Sequence, residues 1–263
     1  MQQQKLIDAH THIFPDKIAN RASDNVGQYY GIAMECDGTV SQLLNGASGL
    51  DARFIICAAA LKPENTAAGN DYLLSQAKTD NRFIPLCSVH PLQHDHGTEL
   101  ERVKKAGAKG IKLHPDFQHF NIDDSSMISV YKIAAELELP ILFHVGDANS
   151  DASSPARLYK ALDKVPNLKA VAAHMGGYLA WDEAEELLYG TPVYFDTSDV
   201  LLSLPPERVE YQIRKHGVEK IMFGSDYPLR STKSAFDAFD VLNLTDEEKT
   251  QIYFKNAQNF YQI

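Results

Sequence analysis

Eight short apolar runs alternate along the chain with segments of helical periodicity, and this alternation constrains the fold more than any other feature. Most of the runs are continuously apolar, as is typical of parallel strands that are covered on both faces. They are KLIDAHTHIF (5–14), ARFIICAAA (52–60), RFIPLCSV (82–89), KGIKLHP (109–115), PILFHVG (140–146), LKAVAAHMGG (168–177), PVYFDTSD (192–199) and EKIMFGSDYP (219–228). Eight strand–helix repeats predict an α/β fold, a (β/α)8 TIM barrel, as a single domain over residues 1–263.

Composition excludes several classes of partner. The net charge of -10, with lysines and arginines scattered, argues against binding to nucleic acid or to an anionic membrane surface. No apolar run is long enough to span a bilayer, and no secretory signal precedes the first strand. We therefore expect a cytoplasmic protein that acts on a small molecule, and the sequence leaves a homo-oligomer open.

Cysteine usage excludes one kind of metal site. The chain has three cysteines, Cys36, Cys57 and Cys87, and no CxxC pair. Two of them lie inside apolar runs, where a free cysteine behaves as a small buried hydrophobe. Any metal bound by this chain is therefore expected to depend on histidines and carboxylates.

The first strand carries an unusual set of polar residues. Side chains two residues apart in a strand point to the same face, so we expect Asp8, His10 and His12 to project together. The alternative is a pair of hydrogen-bonded core histidines, but unpaired imidazoles in a barrel interior are costly to bury. Adjacent imidazoles facing one way therefore indicate a metal.

Four more strands end on a histidine or an aspartate. These ends read KLHP, FHVG, AHMGG and GSDYP, and the first strand ends in HTHIFP. Active sites of TIM barrels lie at the C-terminal ends of the strands, so the five ends predict one convergent polar site. We expect the remaining histidines to lie in loops or at the surface, namely His90, His94, His96, His119 and His216.

The strand-end motifs resemble those of the amidohydrolase superfamily, and in particular the amidohydrolase 2 branch that includes aminocarboxymuconate semialdehyde decarboxylase. The matching pieces are DAHTH, GIKLHP, FHVG, AHMGG, GSDYP and NAQNFY, which span nearly the whole chain. The resemblance implies one divalent metal ion, commonly zinc, with manganese as the second choice. It further implies metal ligands at His10, His12, His144 and Asp226, with His174 beside the metal as a catalytic residue.

The chemistry of these side chains agrees with that assignment. Zinc binds imidazole nitrogen and carboxylate oxygen, and it lowers the pKa of a bound water toward about 7. Asp226 can both hold the metal and accept the proton of the water, while His174 can orient the water or stabilise developing charge. Asp8 is expected to fix the tautomer of an imidazole. Lys112 and His114 share a face of the fourth strand and are candidates for contact with substrate or with the ligands.

Three functions follow, and the sequence does not choose among them. The first is a metal-dependent hydrolase of an amide, a lactone or an ester. The alternative is a metal-dependent non-oxidative decarboxylase of an aromatic or enoic acid, in which Asp226 or His174 protonates carbon. The third is a non-catalytic metal-binding protein, although structural zinc sites are normally closed by four protein ligands, usually with cysteine.

One long segment has no clear periodic pattern. It runs from Asp16 to Asp37, follows the first strand and carries Arg21, Tyr29 and Tyr30. Loops of this length in a compact domain are often functional. We therefore expect a loop that covers the pocket and contacts the substrate.

Overall fold

The predicted barrel is present. A computed structural model describes residues 4–263, and its eight strands pair in parallel in chain order. A backbone hydrogen bond of 2.8 Å from Ala9 N to Phe223 O joins the first strand to the chain beyond the last. The strands are β1 (Lys5–His12), β2 (Asp51–Cys57), β3 (Phe83–Cys87), β4 (Gly110–Leu113), β5 (Ile141–Phe143), β6 (Ala170–Ala172), β7 (Tyr194–Asp196) and β8 (Ile221–Met222).

Helices follow the strands on the outside of the barrel. They are α1 (Asp16–Tyr30), α2 (Val40–Asn45), α3 (Thr66–Thr79), α4 (His96–Ala106), α5 (Pro115–Gln118), α6 (Ser125–Glu136), α7 (Pro155–Lys164), α8 (Trp181–Leu187), α9 (Val200–Ser203), α10 (Pro206–His216), α11 (Thr232–Asp240), α12 (Asp246–Thr250) and α13 (Asn256–Tyr261). Local chemistry sets their ends: Ser154 accepts a hydrogen bond from Arg157 N ahead of α7, and Asp95 does the same for Thr98 N in α4. Within residues 4–263, none of these helices combines the length and the apolar character needed to cross a membrane.

The segment predicted as a loop after β1 is instead the helix α1. Its buried residues are Ala19, Ser23 and Gly27, spaced four apart, so the face that packs on the barrel is made of small side chains. A Cβ atom on Gly27 would lie 2.8 Å from the carbonyl oxygen of Ile32, which explains why a glycine stands there. The apolar residues Ile18, Ala22, Val26 and Tyr29 do recur at helical spacing, but they line the pocket instead of packing on the barrel, and this period was not recognised in the sequence.

Two apolar layers form the core. The larger layer lies between the sheet and the helices. The smaller fills the barrel interior with one or two side chains from most strands, such as Ile7, Ile84 and Leu142. Phe260 and Tyr261 of α13 belong to the same inner cluster, so this helix closes the end of the barrel opposite the strand-end histidines. The interior is therefore a packed core with one open, polar end.

A bulge in β1 separates Asp8 from the two histidines. Asp8 pairs with Phe54 and Thr11 pairs with Ile56, so β1 has one more residue than β2 over this stretch. Phe54 points to the layer between sheet and helices, and Asp8 does the same, because its Oδ2 accepts a hydrogen bond of 2.7 Å from Thr232 on α11. The prediction that Asp8 shares a face with His10 and His12 is therefore wrong.

Candidate metal centre

Three of the four predicted ligands converge on one point. The Nε2 atoms of His10 and His12 are 3.1 Å apart, and Asp226 Oδ1 lies 3.1 Å from the first and 3.3 Å from the second. Ligand atoms about 2.1 Å from a metal are about 3.0–3.4 Å from one another in octahedral or tetrahedral geometry. Two imidazole nitrogens and a carboxylate oxygen at this spacing fit a divalent metal ion. Its identity does not follow, because these donors suit both zinc and manganese.

Asp196 fixes the orientation of the His10 ring. His10 Nδ1 lies 3.0 Å from Asp196 Oδ2 and 3.2 Å from Ser198 Oγ, so Nδ1 carries the ring proton and Nε2 keeps its lone pair for the metal. Burial, followed by the charge of Lys112, lowers the pKa of His10 to about 4. Burial raises the pKa of Asp196, but His10, His174 and Ser198 outweigh it and hold that pKa below its usual range. His10 is thus a neutral imidazole backed by a carboxylate.

His12 sits in a field that favours a cation. Its Nδ1 lies 3.7 Å from the Sγ atom of Cys57, which is fully buried in the inner cluster. Burial lowers the pKa of His12, but Cys57 and Asp226 outweigh that effect and raise the pKa to about 9. The surroundings that favour a protonated His12 would also favour a divalent ion placed between His12 and Asp226.

Lys112 also points into the barrel at this level. It is fully buried, and its Nζ atom lies 2.9 Å from His10 Nε2. A pocket opens onto this end of the barrel, and Lys112 is not among the described residues that line it. Lys112 therefore contacts the ligand cluster, which leaves contact with substrate without structural support.

The fourth predicted ligand, His144, joins the cluster through His174. His144 Nδ1 lies 3.0 Å from His174 Nε2, and the ring of His174 lies 5.4 Å from that of His10 between centroids. On its other side, His174 Nδ1 lies 2.9 Å from Ser198 Oγ and 3.6 Å from Asp199 Oδ2. The chain thus brings all predicted catalytic and ligand histidines to one end of the barrel.

His114 forms part of an aromatic stack beside the cluster. Its ring lies 3.9 Å from that of His144 and 4.0 Å from that of Phe117, with interplanar angles of 8° in both pairs. A carboxylate of Asp116 lies near the two histidines, so the three residues resemble a second metal site. The ring nitrogens are already paired within the chain, however, because both Nε2 atoms lie 3.2 Å from the hydroxyl oxygen of Tyr30 and His144 Nδ1 faces His174 at 3.0 Å. His114 is therefore a wall residue.

Strained backbone accompanies the cluster. His174, Asp199 and Asp226 have φ values of 59°, 61° and 53°, in the left-handed region that residues other than glycine rarely adopt. Each such residue costs roughly 1–3 kcal/mol and persists only where its surroundings hold it. At Asp226, Asp8 provides part of that support by accepting a hydrogen bond of 2.9 Å from Ser225 N. Asp8 therefore fixes the turn that carries Asp226, and the predicted role of fixing an imidazole belongs to Asp196.

A pocket of about 500 Å³ opens onto the cluster. Its polar inner residues are His12, His114, His144, Asp199 and Asp226. Its apolar walls include Phe14, Ile18, Val26, Met34, Leu61 and Phe117. Helix α1 supplies much of one wall, which agrees with the prediction that the segment after β1 covers the pocket. An apolar pocket that ends on a few convergent polar groups is the usual form of a small-molecule site.

Asp196, Ser198 and Asp199 belong to the site although the sequence motifs did not predict them. All three lie in the run FDTSD at the end of β7, the same position that singled out the histidines on other strands. The signal was therefore present, but it was not used. Asp226 was identified, and burial of its carboxyl is outweighed by His10 and His12, which hold its pKa well below the usual range.

Known proteins resemble this chain over most of its length. It is 24% identical to the gamma-resorcylate decarboxylase of a Polaromonas strain over 258 residues, which cover 76% of this chain and 77% of that protein. The structure of 5-carboxyvanillate decarboxylase from Sphingomonas paucimobilis superposes with a TM-score of 0.74 at 15% identity, over 99% of this chain and 100% of that one.

A further structure was solved with a metal. The 5-carboxyvanillate decarboxylase of Novosphingobium aromaticivorans, complexed with manganese and 4-hydroxy-3-methoxy-5-nitrobenzoic acid, superposes with a TM-score of 0.72 at 15% identity, over 100% of this chain and 99% of that one. Hydrolysis, our first predicted function, has no counterpart among these three proteins, whereas all three names state the alternative, decarboxylation. The amidohydrolase family model (Amidohydro_2) matches residues 7–263, and the chain therefore belongs to the amidohydrolase family.

Proposed function

We propose that the protein is a metal-dependent, non-oxidative decarboxylase of a small aromatic carboxylic acid. The observation that carries the proposal is the triangle of His10, His12 and Asp226 at the inner end of an apolar, aromatic-walled pocket. The names of the three similar proteins described above support decarboxylation. The proposed cofactor is one divalent ion, zinc or manganese, held by these three side chains with His144 beside them.

A divalent ion in this triangle would bind oxygen atoms of the acid and withdraw electron density from it. In the reaction the bond between the ring carbon and the carboxylate carbon breaks, and its electron pair stays on the ring carbon. That carbon takes up one proton, and carbon dioxide leaves. The chain must therefore provide a proton at the inner end of the pocket.

Asp226 is placed to deliver this proton. It lines the pocket, whereas His174 is absent from the described residues that do so and lies behind it, against Ser198 and Asp199. We therefore assign the transfer to carbon to Asp226, and we assign His174 the role of holding and replenishing the proton. The apolar walls exclude water and favour release of an uncharged product.

The test is a product analysis in heavy water. Protein loaded with zinc or manganese is incubated with 2,6-dihydroxybenzoate, 5-carboxyvanillate and a panel of related aromatic acids. We expect carbon dioxide in equal amount to the acid consumed, and one deuterium atom on the ring carbon that lost the carboxylate. Metal-free protein is the matched control and should release none.

A parallel arm tests hydrolysis. Small lactones, esters and amides are offered to the same preparations while the release of acid is recorded. Acid release from this panel, without carbon dioxide from any aromatic acid, would overturn the proposal in favour of the hydrolase.

A further inference from the structure

The hydroxyl group of Tyr30 occupies a distinctive position over the site. Tyr30 is the last residue of α1, and its Oη atom lies 3.2 Å from the Nε2 atoms of both His114 and His144. Its ring is held edge-on by Tyr29 at 4.8 Å and by Tyr178 at 5.7 Å between centroids. The hydroxyl therefore has a fixed place at the inner end of the pocket, although the sequence offers only a tandem pair of tyrosines in a segment without periodic pattern.

The proton on His144 can be assigned from its neighbours. His144 Nε2 lies 2.8 Å from the carbonyl oxygen of Gly146, which can only accept. Nε2 therefore carries the ring proton, and Nδ1 has the lone pair that faces His174. The ring uses both nitrogens in this way, donating from Nε2 to Gly146 and accepting at Nδ1 from His174 Nε2 at 3.0 Å.

The proton on His114 can be assigned in the same way. Its Nδ1 caps α5 by accepting a hydrogen bond from the backbone N–H of Phe117, at 3.5 Å. Because Nδ1 uses its lone pair to accept this hydrogen bond, the ring proton is on Nε2. Both nitrogen atoms that face the Tyr30 oxygen are therefore donors.

The consequence concerns the proton of Tyr30 itself. A phenol has one O–H donor and can accept from other groups. The oxygen accepts from the ring N–H of His114, and the N–H of His144 is directed to the carbonyl oxygen of Gly146, so neither ring nitrogen can accept the proton of Tyr30. Burial, followed by the charges of Asp147 and Asp116, raises the pKa of Tyr30 above its usual range, and the phenol keeps its proton.

We propose that the hydroxyl group of Tyr30 donates a hydrogen bond to an anionic oxygen of the bound acid, a carboxylate or a phenolate, and so selects acidic ligands. The inference deepens the proposed function and rests on it for the identity of the reacting group. It assigns to Tyr30 a direct contact with substrate at the inner end of the pocket, with His114 as the positioning residue that turns the phenolic proton toward the ligand.

The test is a binding experiment with the metal-loaded protein and a coloured probe, 4-hydroxy-3-methoxy-5-nitrobenzoate. Hydrogen bonds to charged groups contribute about 1.5–3 kcal/mol, which corresponds to roughly 10- to 100-fold in a dissociation constant. We expect Tyr30→Phe to weaken binding of the probe by about that factor. Tyr29→Phe is the matched control, because Tyr29 lines the same pocket without contacting His114 or His144, and it should change the dissociation constant less than about twofold.

A second ligand isolates the anionic oxygen. Methyl 3,4-dimethoxy-5-nitrobenzoate has the same ring but no acidic group, and Tyr30→Phe should leave its binding, weak as it is, unchanged. Equal losses for the acid and the ester would mean that Tyr30 only shapes the pocket, and would overturn the proposal. Failure of the wild-type protein to bind the acid would do the same.

Two measurements separate other causes. Elemental analysis and thermal melting should give the same metal content and the same unfolding temperature for Tyr30→Phe and wild type. Loss of metal in Tyr30→Phe would make Tyr30 a support for His144 and contradict substrate contact. If the binding result holds while no aromatic acid releases carbon dioxide, the proposed function fails and the role of Tyr30 in acid recognition stands.

Discussion

Buried histidines occur at both ends of the barrel, and they are satisfied in different ways. At the closed end, His216 accepts a hydrogen bond of 3.2 Å from Gly190 N on Nδ1 and donates one of 2.8 Å from Nε2 to Val193 O. Its ring stacks on Phe195 at 3.9 Å. At the open end, the Nε2 atoms of His10 and His12 face each other at 3.1 Å.

The difference separates structural from functional histidines. One nitrogen of His216 donates a hydrogen bond and the other accepts one, so both ring nitrogens are satisfied within the protein. His10 Nε2 faces His12 Nε2 across 3.1 Å, with a carboxylate oxygen of Asp226 at the same distance, and this group needs a positive charge, either a proton on His12 or a metal cation. Burial alone does not distinguish the two cases, because His10 and His216 are both buried. The polarity of the partners does.

The largest expected effect is the loss of metal. The variant His10→Ala/His12→Ala removes two donors of the triangle, so metal content should fall from about one ion per chain to near zero, with loss of all turnover. His216→Ala should keep its metal and its activity per folded molecule. Elemental analysis of both purified variants checks this. Full metal content in the double variant would contradict the assignment of His10 and His12 as metal ligands.

The next effect separates ligand binding from proton transfer. Asp226→Asn keeps one ligating oxygen, so it should retain much of its metal, but its amide cannot take up a proton and deliver it to carbon. Its turnover should drop by about 10²–10⁴-fold, the usual contribution of a general acid–base group. His144→Asn should fail mainly through weaker metal binding, and added metal should restore part of its activity. Recovery of Asp226→Asn to a near wild-type rate on adding metal would reassign the proton transfer to His174.

A smaller effect is expected behind the ligands. Asp196→Asn removes the negative charge that fixes the His10 tautomer, and loss of such a partner typically weakens metal affinity by about 10–100-fold. Asp116→Asn is the matched control, since this buried aspartate has no hydrogen bond to His10. Competition with a metal chelator measures both affinities. Equal affinities for the two variants would show that Asp196 does not tune the centre.

The smallest effect concerns stability at the closed end. Burial lowers the pKa of His216 to about 4, against about 6.5 in an unfolded chain. The unfolded state therefore binds more protons between these values, and the stability that neutral His216 contributes is complete above pH 6.5 and lost as the pH falls to 4. Chemical unfolding at several pH values should show that the free energy of unfolding falls less steeply from pH 6.5 to pH 4 in His216→Gln than in wild type. Parallel curves would assign the acid sensitivity to other groups.

Strong local signals made much of this protein predictable from its sequence. Each strand is a compact apolar run. The residue that follows the run can be read directly from the sequence, and it lies at the C-terminal end of the strand. The barrel was therefore predicted correctly, and the structure brings together His10, His12 and Asp226, whose role as metal ligands stays a prediction.

Features that depend on distant parts of the chain were not predictable in this way. The bulge in β1 is defined only by pairing with β2, and it turned Asp8 away from the histidines. Helix α1 packs on the barrel through three small residues, and its larger apolar residues face the pocket, so it lacks the large apolar stripe of an ordinary core helix. The donor role of Tyr30 depends on the protons of His114 and His144, which lie more than 80 positions away in the chain.

The way in which α13 closes the barrel has a consequence for biosynthesis. Both histidines of β1 leave the ribosome early, but Asp226 and the aromatic plug formed by Phe260 and Tyr261 follow only after most of the chain has been translated. An incomplete chain therefore contains the two imidazoles without the carboxylate of Asp226. It also lacks the helix that closes one end of the barrel. The proposed metal centre can therefore form only after Asp226 has been synthesised, and a fragment that ends earlier contains His10 and His12 without the carboxylate of the triangle.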